Sequence, residues 1–195
     1  FGKNKQEDKK QKPIIIWDKK EIDYGSFHRV MDWSPDGRKL AYAKFHFGEN
    51  QSLVNDIKIY DIDNKKSVWL TESKRASHPT WSPDGKKIVF VAHKNSVANL
   101  YTMDADGSNK KQITHYTYDT QIVDPHFSPD GKSIIFSMAD RDANLDLFIL
   151  RVATGDVKRI TKDSAADYNP VWHPDGKYVS FTSQSGGTPN IHTVN

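Results

Sequence analysis

Four segments of this chain align with one another without a gap, and they constrain the fold more than anything else in it. They are Trp33-Ser-Pro-Asp-Gly-Arg-Lys-Leu-Ala-Tyr42, Trp81-Ser-Pro-Asp-Gly-Lys-Lys-Ile-Val-Phe90, Phe127-Ser-Pro-Asp-Gly-Lys-Ser-Ile-Ile-Phe136 and Trp172-His-Pro-Asp-Gly-Lys-Tyr-Val-Ser-Phe181. Their prolines, Pro35, Pro83, Pro129 and Pro174, are spaced by 48, 46 and 45 residues. A period of that length, with strand-type residues on both sides of a tight turn, describes one blade of a β-propeller.

The turn chemistry is explicit. Proline presets φ for the first corner, aspartate accepts a backbone bond, and glycine takes the left-handed conformation that closes a hairpin. Beyond each turn, residues alternate with period two. This puts Leu40 with Tyr42, Ile88 with Phe90, Ile134 with Phe136 and Val179 with Phe181 on one face. Trp33, Trp81, Phe127 and Trp172 precede the turns and are expected to fill the wedges between blades.

A third strand is expected in each copy over Ile57–Ile62, Leu100–Met103, Leu147–Val152 and Ile191–Val194. A fourth is expected in three copies, over Ser67–Thr71, Gln112–Thr114 and Lys158–Thr161. The last copy has no segment for a fourth strand, whereas Ile14–Trp17 is strand-like and precedes the first. The predicted architecture is therefore all-β, a propeller of four four-stranded blades. Its repeats span about 27–73, 75–121, 122–167 and 168–195, and residues 13–18 close the last blade. The same strand arithmetic permits an arc of a larger propeller.

Residues 1–12 carry five lysines beside Glu7 and Asp8 and are expected to form a charged, flexible linker, not an arm for nucleic acid. The chain opens on Phe1 with no signal-peptide pattern, so an upstream segment is expected to have been removed. No apolar run approaches the ~18 residues of a membrane span. The absence of cysteine excludes disulfides, thiolate metal sites and cysteine nucleophiles together.

The repeat resembles the TolB-type, or WD-type, propeller repeat, in which a Pro-Asp-Gly-Lys hairpin leads to Leu-Tyr-x-Met-Asp-x-Asp-Gly and a Leu-Thr strand end. Asn99-Leu-Tyr-Thr-Met-Asp-Ala-Asp-Gly107 and Gln112-Ile-Thr114 carry that resemblance most closely. It implies scaffolds, periplasmic adaptors, peptidase accessory domains and some lyases, and hence a periplasmic or cell-surface setting. Such propellers more often have six or more blades, and a count of four departs from that.

The Pro-Asp-Gly hairpins share one face of a propeller, and the irregular loops occupy the other, where binding usually resides. Those loops carry the candidate partner-binding residues His28, His78, His93, Tyr118, Asp124, Arg141, Asp167, Tyr168 and Asn169. His78, Asp124 and Asn169 each precede a proline at equivalent positions on an innermost strand, with Val30 at the fourth, so these three are expected to converge on the channel. No ligand-spaced His/Asp motif is present, and neither a metal nor any other cofactor is expected. His192, standing where other copies have Tyr60, Tyr101 and Phe148, reads as a packed core residue.

The expected function is a non-catalytic protein-interaction scaffold, or a subunit of a larger assembly, that binds a protein or peptide. The alternatives are a metal-dependent polysaccharide lyase and an accessory propeller of a peptidase. The chain contains no Gly-x-Ser-x-Gly elbow for a serine nucleophile.

Overall fold

The computed structural model of the chain describes residues 22–23, 27–49, 51–139 and 144–195. Each repeat is an antiparallel meander. Blade 1 comprises β1 (Phe27–Trp33), β2 (Lys39–Phe47), β3 (Leu53–Asp61) and β4 (Lys66–Trp69). Blade 2 comprises β5 (Ala76–Trp81), β6 (Lys87–Lys94), β7 (Val97–Asp104) and β8 (Lys111–Gln112). Blade 3 comprises β9 (Gln121–Phe127), β10 (Ser133–Ala139), β11 (Leu145–Arg151) and β12 (Val157–Arg159). Blade 4 comprises β13 (Asp167–Trp172), β14 (Val179–Ser183) and β15 (Asn190–Val194). Among the described residues there is no helix, and so none long and apolar enough to cross a membrane. The segments expected as linker, 1–12, and as closing strand, 13–18, lie outside the described residues.

The hairpins form as their chemistry dictates. Gly37, Gly85, Gly131 and Gly176 hold φ between 69° and 71°, a conformation that a β-carbon disfavours. Ser34, Ser82 and Ser128 donate to Asp36, Asp84 and Asp130 at 2.6–2.7 Å, and each aspartate also accepts from the backbone N–H two residues on. In blade 4, His173 replaces the serine, with Nδ1 at 2.8 Å from Asp175.

These bonds favour the ionised form, so all four aspartates are held below the usual carboxylate value of 3.8. The serine hydroxyl is the largest cause in the first three, and the Lys177 backbone N–H is the largest in Asp175. A carboxylate whose pKa falls on folding adds stability that is complete above its unfolded value and is lost as pH falls through its folded value. The thermal midpoint is therefore expected to hold steady from neutral pH down to about 5 and to drop below about 4. Asparagine at all four positions should make that acid limb shallower in a pH series of melting curves. An unchanged limb would remove the hairpins from the acid response.

A second side-chain device joins the outer strands. Thr71 Oγ1 accepts the Ile57 N–H at 2.8 Å and donates to Asp56 at 2.7 Å. Thr114 repeats this with Leu100 and Asn99 at 2.8 and 2.9 Å, and Thr161 with Leu147 and Asp146 at 3.0 and 3.3 Å. The threonine hydroxyl thus takes a ladder N–H at the point where the fourth strand bends away. This is why β4, β8 and β12 end before the threonines that the sequence assigns to them.

The apolar core is three interfaces between sheets. Ala41, Ala43, Ile57, Ile59 and Leu70 of blade 1 pack on Trp81, Ile88, Phe90 and Met103 of blade 2. Val89, Val91 and Leu100 of blade 2 pack on Ile122, Ile134, Phe136 and Leu150 of blade 3. Ile135 and Leu147 of blade 3 pack on Val179 and Phe181 of blade 4. The alternating residues after each turn are all buried, as their period requires.

Three expectations are corrected. The ring is not closed at four blades among the described residues: β1 packs on β5, β5 on β9 and β9 on β13, with no such packing of blade 4 on blade 1. Trp33 accordingly fills no wedge. It is 49% exposed, whereas Trp81 is 5% exposed, because no blade precedes it among the described residues. His192 is exposed, because β15 is the outermost strand of its described sheet. Its ring lies 5.8 Å from Phe181, and the register gives Lys58, not Tyr60, as its counterpart in blade 1.

Candidate functional site

The innermost strands of blades 2, 3 and 4 break register at the same place. Pairing shifts between Ser77 and Thr80, beside Asp124 and Pro125, and between Tyr168 and Val171. The residues responsible are His78, Asp124 and Asn169, at φ of 52°, 51° and 54°. Left-handed backbone is uncommon outside glycine, although Asn, Asp and His adopt it more readily than other side chains. Each is followed by proline, which brings no N–H to the disrupted ladder, so the bulge leaves no orphan donor at that position. A β-bulge re-aims a side chain, and such bulges concentrate beside binding sites.

Two of these residues come together. His78 Nε2 lies 3.8 Å from Asp124 Oδ1, and its Nδ1 is 3.0 Å from Ser77 Oγ. His78 is 8% exposed, while Asn169 is exposed. Sequence reasoning missed two further members of this group. Asp32, whose carboxylate accepts the Trp81 N–H at 2.7 Å, and His126 interact electrostatically, and His126 also feels Asp124. Burial is the largest influence on both: it pushes the Asp32 carboxyl up and the His126 imidazole down, against their mutual attraction. The result is an alternation of acid and imidazole across three blades, Asp32, His126, Asp124 and His78. The signal was available, since Asp32 and His126 occupy one aligned position, just before the aromatic residue of the repeat.

The remaining candidates are dispersed. Tyr118 is half-buried, edge-on to Tyr116 at 5.9 Å. His93 is exposed, with Nδ1 at 3.3 Å from the Arg75 carbonyl. Tyr168 is half-buried, whereas Asp167 is only 1% exposed. Arg141 lies outside the described residues, as does the side chain of His28. No three His, Asp or Glu side chains among the described residues gather into a metal cage.

Comparison with known proteins agrees with the propeller fold. The family model described as the TolB beta propeller domain matches residues 28–137 and 117–195. The chain is 27% identical to a Bacillus subtilis protein named as an uncharacterized peptidase, YuxL, over 77% of this chain and 28% of that protein. It is 28% identical to dipeptidyl-peptidase 5 of Porphyromonas gingivalis, over 67% of this chain and 20% of that one. The chain thus spans less than a third of the length of these curated relatives. The crystal structure of TolB from Acinetobacter baumannii superposes with a TM-score of 0.68 at 26% identity, over 85% of this chain and 40% of that one.

Proposed function

Because the chain belongs to the TolB β-propeller family, we propose that it is a non-catalytic interaction module. In this reading it binds a protein or peptide at the channel mouth around His78 and Asp124. The observation that carries this reading is the repeated left-handed break at His78, Asp124 and Asn169. Three left-handed residues at one place in successive blades support a binding surface on a rigid scaffold, because such bulges re-aim side chains. The mouth offers carboxylates, imidazoles and an amide, hydrogen-bonding groups suited to a polypeptide. Two relatives named as peptidases, each far longer than this chain, support the role of accessory propeller in a larger protein or assembly. Similarity to TolB supports a periplasmic or cell-surface setting. The exposed apolar residues on the outward faces of blades 1 and 4, among them Met31, Trp33, Val171 and Ile191, support an arc of a larger ring.

Alanine at both His78 and Asp124 is expected to weaken capture of the partner about tenfold or more while shifting the melting temperature by no more than a few degrees. The measurement is affinity capture from source cells, quantified by mass spectrometry, beside a melting curve. Equal loss on neutralising Lys86, Lys132 and Lys177 instead would assign binding to the hairpin face and overturn this reading.

A further inference from the structure

Blade 2 carries a cavity of about 390 Å³ on the side that faces blade 1, a size within the range of small-molecule sites. Phe90, Ala92 and Tyr101 form its apolar floor, with the two rings stacked at 5.7 Å. The repeat explains the space. Ala92 pairs with Ala76 across β6 and β5, and the same pair one blade later is Met138 with Ile122. Met138 is 2% exposed and joins the apolar cluster between blades 2 and 3. A longer side chain thus fills at the second interface what Ala92 leaves open at the first.

Above that floor the lining is cationic. Lys94 ends β6, Lys110 precedes β8, and Lys74 comes from the segment that leaves blade 1; Ser73 and His93 complete the wall. Ser73 and Arg75, at φ of 51° and 49°, turn the backbone on either side of Lys74, whose N–H is anchored on Asp56 at 3.0 Å. Lys110 Nζ donates to the Gly107 carbonyl, which fixes its charge and leaves two N–H groups over. No carboxylate lines the cavity. Among the described residues none of these three ammoniums has an ion-pair partner, whereas Lys44, Lys58 and Lys87 of the same two blades each have one. Positive charges gathered around one cavity repel one another, and an anion relieves that repulsion. All three are lysine. A planar carboxylate is met best by the bidentate fork of arginine, while separate ammoniums act as point charges and suit the several oxygens of a tetrahedral oxyanion. The aromatic floor adds a place for an apolar ring, which an inorganic ion would leave empty.

We propose that this cavity binds a small phosphate ester, with the phosphoryl group among Lys74, Lys94 and Lys110 and the body against Phe90, Ala92 and Tyr101. The site shares no lining residue with the channel mouth, so it stands or falls separately from the partner reading. No local motif announces it, because its walls come from three strands and a loop that meet only when blades 1 and 2 pack.

The test is calorimetric titration of the whole chain with phenyl phosphate, inorganic phosphate and benzoate, beside a melting curve for each variant. Phenyl phosphate is expected to bind about tenfold tighter than either of the others, and more weakly as salt is raised. Alanine at Lys74, Lys94 and Lys110 together is expected to weaken it about tenfold or more, with a melting temperature within a few degrees of the wild type. Ala92→Met keeps every lysine and fills the floor as Met138 does one blade later, so it loses the preference for phenyl phosphate over inorganic phosphate. Alanine at His78 and Asp124 leaves all three titrations unchanged. The site is refuted if phenyl phosphate binds no better than inorganic phosphate, if benzoate matches it, or if its affinity survives the triple lysine variant. A folded Ala92→Met that keeps the preference refutes it too, and if that variant does not fold, the lysine variant decides.

Discussion

Alanine at Trp81 is expected to cost the domain about 3–5 kcal/mol, whereas alanine at Trp33, the same position one blade earlier, costs less than about 1 kcal/mol. The two indoles occupy identical places in the repeat, so local sequence cannot distinguish them. Their surroundings can. Trp81 is 5% exposed and sits among Ala41, Ile57, Ile59 and Leu70 of the preceding blade, and its removal opens a cavity between two sheets that collapse only partly. Trp33 is 49% exposed and has no such sheet against it among the described residues. Phenylalanine at Trp81 should recover most of the loss, because the buried indole N–H has no hydrogen-bond partner to forfeit. Chemical denaturation of both alanine variants measures the difference. Comparable losses would mean that the outward face of blade 1 is covered as fully as that of blade 2.

That contrast marks where the sequence stops being informative. Strand existence, hairpin geometry and the buried alternating set at Leu40, Ile88, Ile134 and Val179 were legible, because each follows from local turn chemistry and a period of two. Whether a blade face is covered depends on which sheets neighbour it, and no local pattern encodes that. Trp33 and His192 were misread for this reason: both sit on outward faces or outermost strands, in repeats whose interior copies are packed. The candidate site was legible in part. The gapless alignment brought out His78, Asp124 and Asn169, and proline after each marked a special backbone. The left-handed twist that aims them was not legible, nor was the proximity of Asp32 and His126, because a one-residue bulge changes which side of the strand a side chain faces. Asp167 stands among loop residues in the sequence, yet the packing of blade 4 on blade 3 buries it.

Asp56 carries the second large expectation. Its carboxylate is 0% exposed and accepts from Thr71 Oγ1 at 2.7 Å and from the Lys74 N–H at 3.0 Å, with His46 Nε2 at 2.8 Å. Alanine there takes the acceptor from the buried Thr71 hydroxyl and from the Lys74 N–H. Two hydrogen bonds to a charged group are lost and their donors left unmet, for an expected cost of about 3–5 kcal/mol. Asparagine should behave differently, because the fold already uses it. Asn99 stands in the same place in blade 2, where its Oδ1 accepts from Thr114 Oγ1 at 2.9 Å and from the Tyr116 N–H at 2.8 Å. Asp56→Asn keeps both acceptor contacts and weakens only the pairing with His46, at a cost of about 1 kcal/mol or less. The same repeat thus supplies its own control: the job at this position is to accept two hydrogen bonds, and the charge is secondary. Urea denaturation of the two variants separates these readings. If Asp56→Asn destabilises the domain as much as Asp56→Ala, the contact with His46 across β2 and β3 is what matters at this position, and the shared Asx–Thr device is not.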